Sequence, residues 1–268
     1  MRPWVTSIPP GGLRPSSIRY HIGAVAVLAA CTASPGKDAT DEGGTPPAVS
    51  PACTELEPVA CEDAIVQDLS LHDDLVSDGR VKTTVDGADF VTTIDATAGG
   101  LDAAPANPWV YVRFTEDGAE RVDIDDETAL ESMEWHLAAR RFILRLNGGS
   151  SGPSCVGAAP FLERSYGELD EVPGDVEFVT DAYYTQDCTL INDSSGLEGS
   201  PQVALSPWWE YPGCVKTTKV PFLVQLEDGH VIKLRVDQYY AEGQSDCNQS
   251  SLPGSDGGTF QITWTYLK

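Results

Sequence analysis

Basic residues are scarce in this 268-residue chain: 17 Lys and Arg stand against 41 Asp and Glu, a formal charge of −24. A chain so acidic lacks the basic face that neutralises phosphates, which excludes nucleic acid as a partner. It also excludes electrostatic docking onto an anionic membrane surface. The apolar run from Ile22 to Ala30 falls far short of the ~20 residues a spanning helix needs. No Cys-x-x-Cys occurs and no Cys stands at finger spacing from a His, so a zinc site has no ligand set and no metal site is expected. No phosphate-cradling Gly-Lys motif and no internal repeat of fixed period is present. Histidine and methionine are few, four and two.

The N-terminus does carry a pattern. Arg2, Arg14 and Arg19, with no acid among them, precede the apolar run, which ends Leu28-Ala29-Ala30-Cys31. That layout is a secretory signal over residues 1–30. Leu-Ala-Ala-Cys resembles a bacterial lipobox, in which Cys31 is lipidated and becomes the mature N-terminus. Loss of residues 1–30 removes three arginines and no acid, deepening the charge to −27. Residues 31–52, rich in Pro, Gly, Ala, Thr and Asp, read as a flexible tether. The expected location is the cell envelope, lipid-anchored at the outer membrane.

Six further cysteines, Cys53, Cys61, Cys155, Cys188, Cys214 and Cys247, read as three disulfides in an exported chain. Fifteen connectivities are open. Proximity suggests Cys53 with Cys61, and the hairpin around Asp228-Gly229 suggests Cys214 with Cys247, which leaves Cys155 with Cys188.

Strand-like runs fill the body: Phe90 to Ile94, Trp109 to Phe114, Arg121 to Ile124, Phe142 to Leu146, Val220 to Leu226, Val231 to Val236 and Thr259 to Tyr266. The last alternates Phe260, Ile262, Trp264 and Tyr266 with Thr and Gln, the pattern of a half-buried strand. Helical signals are sparse: two turns over Asp126 to Glu134 and a short helix within 56–78. The reading is a mainly β antiparallel fold with few short helices, a Cys-bearing extension over 53–89 and one domain over 90–268.

The stretch from Trp135 to Gly152 resembles the signature of the HmuY family, carried by Trp135, Arg140, Arg141, Asn147, Gly148, Gly149 and Gly152. The runs at 91–96, 109–114, 220–240 and 259–266 resemble the family's strands in order. The resemblance implies a hand-like β fold on a surface lipoprotein, with haem as cofactor and an outer-membrane receptor as partner. It also implies that two His or Met side chains, from loops of the C-terminal half, grip the iron.

Ligands for that iron are thin here. His136 stands where the signature has Asp, His230 follows the Asp228-Gly229 turn, Met133 lies nearby, and His72 precedes the family-like region. The segment Ser206 to Cys214, where relatives place a ligand His, has none. Its Trp208, Trp209 and Tyr211 either line a cleft for another flat ligand or pack the core. No enzyme constellation is present. Gly148-x-Ser150-x-Gly152 lacks the helix a nucleophile elbow needs, and Asp123, Asp125, Asp126 and Glu127 lack the Gly and closing Glu of a Ca²⁺ loop. Two functions remain: capture of haem or another small ligand for uptake, and a non-haem envelope module for adhesion or partner binding.

Overall fold

The computed structural model describes residues 53–97, 107–193 and 200–268, all within one compact unit spanning Thr45–Lys268. The expected signal peptide, lipidation site Cys31 and tether lie outside the described residues.

Twelve strands and two short helices are described in chain order: α1 (Glu62–Asp68), β1 (Val81–Asp86), β2 (Asp89–Asp95), β3 (Val110–Thr115), β4 (Gly118–Val122), β5 (Leu137–Arg140), β6 (Ile143–Leu146), β7 (Gly157–Pro160), β8 (Trp209–Glu210), β9 (Lys216–Thr217), β10 (Pro221–Gln225), β11 (Val231–Tyr240), α2 (Ser245–Ser250) and β12 (Gly257–Tyr266). Six strands form one antiparallel sheet in the order β1-β2-β12-β11-β10-β7, and four form a second, β4-β3-β5-β6. The fold is mainly antiparallel β.

Alternation decides which face each strand buries. Phe260, Ile262 and Trp264 of β12 join Ile94, Leu234, Val236, Phe222 and Val224 on one side of the core. Val110, Val112, Phe114, Leu137, Ala139, Leu144 and Leu146 of the four-stranded sheet meet them from the other. Trp264 stacks on Phe90 at 4.6 Å, meets Phe114 edge-on at 4.8 Å, and donates its indole N–H to Thr92 Oγ1 at 2.9 Å. The four-stranded sheet is buried on its second face too. There Trp109, Tyr111, Trp135 and Ala138 pack against Val59, Ile65 and Leu69 of the N-terminal extension, and against Tyr183 and Val203. Sheet, sheet and extension thus make three layers.

Helix is rarer than the sequence suggests. Asp126 to Glu134 yields only a 3₁₀ turn, Thr128–Glu131, because the Asp126 carboxylate is drawn inward. It accepts hydrogen bonds from the Trp109 and His72 backbone N–H groups, at 2.8 and 3.1 Å, and from the Tyr111 hydroxyl at 3.1 Å. The helix within 56–78 is α1, seven residues long. The extension does not stop short of the sheet, since β1 pairs with β2 along its whole length.

All six cysteines are bonded, but two of the three pairs correct the expectation. Cys214 joins Cys247 as anticipated, whereas Cys53 joins Cys155 and Cys61 joins Cys188. The nine residues from Cys53 to Cys61 run without regular structure across the second face. The Cys53 N–H donates to Glu227 O, the Glu57 N–H donates to Pro153 O, and Val59 is buried. A segment held extended at both ends keeps its two cysteines apart.

Candidate functional site

The signature stretch forms the β5–β6 hairpin and the turn after it, and its residues work as architecture. Arg145, with no exposure, lies 4.6, 5.4 and 5.2 Å from the ring centres of Trp109, Tyr111 and Trp135 and donates to the Tyr111 hydroxyl. Three aromatic faces and nearby Asp126 balance a guanidinium that burial alone would penalise. Arg140 lies over Trp109 at 4.7 Å and donates to the carbonyls of Leu69 and Ser70, fastening the end of α1 to β5. The Asn147 amide donates to the carbonyls of Ser132 and Trp135 and accepts from the Ser154 N–H. Gly149 has φ +65°, and a Cβ there would come within 2.2 Å of Asp181 O; at Gly152 a Cβ would strike Asn147 Oδ1 and the Trp135 ring. Gly148 pairs with Cys155 beside them.

Asp181 is the knot that ties this hairpin to the loops facing it. Its carboxylate accepts the Leu146 N–H at 2.9 Å, the Ala204 N–H at 2.7 Å and the Ser151 hydroxyl at 2.5 Å. Ser151 also meets the Tyr183 hydroxyl. Burial raises the Asp181 carboxyl to about 6, against the pull of these hydrogen bonds and of Arg145. Ser150, centre of the Gly-x-Ser-x-Gly match, is tied by its N–H to Asp181 O, so no elbow forms.

The loops that Asp181 holds enclose a cleft of about 590 Å³. Pro160, Val179, Val203, Pro207 and Trp209 give it apolar walls, while Asp193 and Glu210 bring carboxylates to its rim. Among the described residues its lining contains no Lys or Arg. Trp209 lines the cleft and packs against Phe142 at 4.9 Å, whereas Trp208 is core, edge-on to Phe260 at 5.3 Å. Tyr211 is exposed and lies 6.4 Å from Trp209. Trp208 and Trp209 both belong to the core, and Trp209 also borders the cleft.

The imidazoles lie elsewhere. His136 is buried: its Nδ1 accepts the Phe114 N–H at 3.0 Å, and its Nε2 lies 2.7 Å from Glu227 Oε2. Acceptance at Nδ1 fixes the Nε2–H tautomer, and that proton faces the carboxylate, so neither nitrogen offers a lone pair. Burial works to raise the Glu227 carboxyl, but the His136 contact prevails and lowers it. His230 is exposed in the β10–β11 turn, with Nδ1 2.9 Å from Asp228 Oδ2, and its pKa is raised by that partner. Both histidines thus lean on one turn, and neither lines the cleft. Met133 is half-buried beside Trp135 in the chain and is likewise absent from the lining. His72 has a buried Nε2 without a hydrogen-bond partner, and its backbone exchanges hydrogen bonds with Asp126.

Haem iron needs imidazole, thioether, thiolate or phenolate donors. Among the described residues the cleft lining supplies none, and it would set carboxylates rather than cations against a porphyrin's propionates. The described residues lining this cleft do not fit haem ligation. Among the described residues no group of three or more His, Cys, Asp or Glu could hold a metal ion.

Two packed antiparallel sheets, with loops stapled over them around a ligand-sized cleft, define a class of β domain. The model of the HmuY protein family matches residues 106–250, and the chain belongs to that family. No curated protein matches the chain. Among solved structures, the apo HmuY analog of Tannerella forsythia is 18% identical over 73% of this chain and all of its own, with a TM-score of 0.42. A HmuY-like protein of Bacteroides vulgatus is 19% identical over 73% of this chain and 99% of its own, with the same TM-score, 0.42. Apo PinO of Porphyromonas gingivitis is 10% identical over the same shares, at 0.36.

Proposed function

We propose that the chain is an exported, lipid-anchored member of the HmuY family that captures a small, flat, non-anionic ligand, with no iron held by His136, His230 or Met133. The observation that carries this reading is the Trp209 cleft. Its volume lies in the range of small-molecule sites, its walls are apolar, and its charged rim is acidic. The engaged nitrogens of His136 favour this ligand class over haem.

The acidity of the chain supports the same reading, since an acidic head stays hydrated and clear of anionic headgroups. An outer-membrane receptor is the partner this reading expects.

Two measurements test the proposal. Native mass spectrometry of protein extracted from its own membranes is expected to show a small adduct that Trp209→Ala loses; a bare wild-type protein, or an adduct indifferent to the substitution, overturns ligand capture in this cleft. Micromolar hemin is expected to give no sharp Soret band, and a band abolished by His136→Ala would restore the haem reading. Anchoring has its own check: Cys31→Ser should move the protein from the membrane to the soluble fraction.

A further inference from the structure

The three described disulfides are not equally sheltered. Cys214 and Cys247 are each 1% exposed, and Cys53 and Cys155 are partly buried. Cys188 is exposed, and its partner Cys61 is half-buried. The backbone sets this pair apart as well. Cys61 has φ +60° and Cys188 φ +57°, both in the left-handed region that non-glycine residues rarely adopt, and none of the other four cysteines has a positive φ. Each carries a backbone cost that it can shed once the bond is cut. Exposure and strain together mark a disulfide that thiols reduce readily.

What this bond holds is a wall of the Trp209 cleft. Residues 182–193 and 200–203 form a ribbon: Tyr184 pairs with Leu190, the Thr185 N–H donates to Thr189 O at 3.0 Å, and the Gln202 N–H donates to Ile191 O at 2.9 Å. Its Ala182, Asn192, Asp193, Gln202 and Val203 line the cleft. Asp181 fixes the base of the ribbon through the Ala204 N–H, and Tyr183 is buried beside it. The tip is fastened to α1 at two points, the Cys61–Cys188 bond and the Tyr184 hydroxyl, which donates to Asp68 Oδ2 at 3.1 Å. That hydrogen bond is exposed to water, and Tyr184 and Leu190 are only partly buried against the ring layer, so the disulfide carries the attachment.

We propose that Cys61–Cys188 is a thiol-exchange site at which a dithiol reductant frees the outer end of the ribbon and loosens the cleft wall. One thiolate of the dithiol attacks the exposed Cys188 Sγ and breaks its bond to Cys61, which leaves as a thiolate and takes up a proton. The second thiolate of the reductant then attacks the reductant's own sulfur in the mixed disulfide, and Cys188 leaves and is protonated in turn. Two electrons and two protons pass to the protein, and the dithiol ends as a disulfide. The exchange stands on the fold alone; only its effect on capture rests on the ligand reading of the Trp209 cleft.

The test treats the folded protein with graded dithiothreitol, quenches it with iodoacetamide and maps the alkylated cysteines by peptide mass spectrometry. Cys61 and Cys188 should be alkylated about ten-fold faster than the other four. In protein reduced at that pair, amide hydrogen exchange should quicken about ten-fold over 184–193 and in α1, with β11 and β12 unchanged. Tyr184→Phe should leave exchange in the oxidised protein at its wild-type rate and add to the quickening once the bond is cut. Earlier reduction of Cys53–Cys155 or Cys214–Cys247, exchange over 184–193 that ignores reduction, quickening that extends to β11 and β12, or a Tyr184→Phe protein already loosened while oxidised would overturn the proposal. No ligand enters the assay, so its outcome is independent of what the cleft binds.

Discussion

Asp181→Ala is expected to lower the stability of the domain by about 4 kcal/mol, since each buried hydrogen-bonding group left unpaired costs about 1–3 kcal/mol. Three donors lose their acceptor at once: the backbone N–H groups of Leu146 and Ala204, and the Ser151 hydroxyl. The first belongs to β6 and the second to the loop forming a cleft wall, so the substitution parts the hairpin from the site it supports. Urea denaturation followed by Trp fluorescence measures the loss, and a shift below about 1 kcal/mol would show that the carboxylate is dispensable. Acidity supplies a second readout. Folded Asp181 titrates near 6, against 3.8 as a model carboxyl, so the fold binds this proton more tightly than the unfolded chain does. Its contribution to stability is therefore fully present below pH about 4 and is lost as pH rises through about 6. From pH 7.5 down to 4 this one group should add roughly 1–3 kcal/mol, the energy of a shift of about two pH units. Asp181→Asn should flatten that part of the profile. Glu227 and Asp228, whose carboxyls are lowered in the fold, act with the opposite sign and remain in the variant as an internal reference.

Replacing Cys61 and Cys188 by alanine should cost a similar amount, about 3–5 kcal/mol, because the cross-link closes a loop of more than a hundred residues in the unfolded chain. The separation is 127 residues. The native loss adds to it: Cys61 begins α1, whose Ile65, with Leu69 just beyond, covers the ring layer of Trp109, Tyr111 and Trp135. Arg140 reaches to the Leu69 and Ser70 carbonyls and would lose them as the helix frays. Limited proteolysis should then cut between 53 and 75 in the variant and not in the parent. Equal resistance in both would mean that packing alone retains the extension.

Strands carrying aromatic and β-branched residues on alternating positions were legible from sequence, and β2, β3, β6, β10, β11 and β12 fall where Phe90, Trp109, Phe142, Val220, Val231 and Thr259 mark them. β5 escaped because Leu137 to Arg140 is buried on both faces and so shows no alternation. β7, Gly157-Ala-Ala-Pro160, has almost no strand propensity and exists because β10 pairs with it. At the site, Trp209 stood out as an aromatic in a Pro-rich loop. Asp181 did not, since a single acid among 41 acquires its role only through partners 23 to 35 residues distant. The signature residues were visible as a pattern, yet what they support is a hairpin and its turn. His136 drew attention as an isolated imidazole; its engagement with Phe114 and Glu227 depends on contacts that spacing does not encode.

The pairing of the cysteines bears on how the chain must be made. Exported N-terminus first into an oxidising compartment, as proposed above, the chain would present Cys53 and Cys61 together, eight positions apart, long before Cys155 or Cys188 appears. Thiolate attack favours whatever sulfur is within reach, so the bond nearest at hand during synthesis is one the finished molecule does not contain. Correct maturation therefore requires that these two thiols stay reduced until the later half arrives, or that a disulfide isomerase undo their early union. Cys214 and Cys247, close in the chain and partners in the fold, carry no such burden. Yield of the native protein should accordingly track the isomerase capacity of its host compartment more closely than the host's oxidising power.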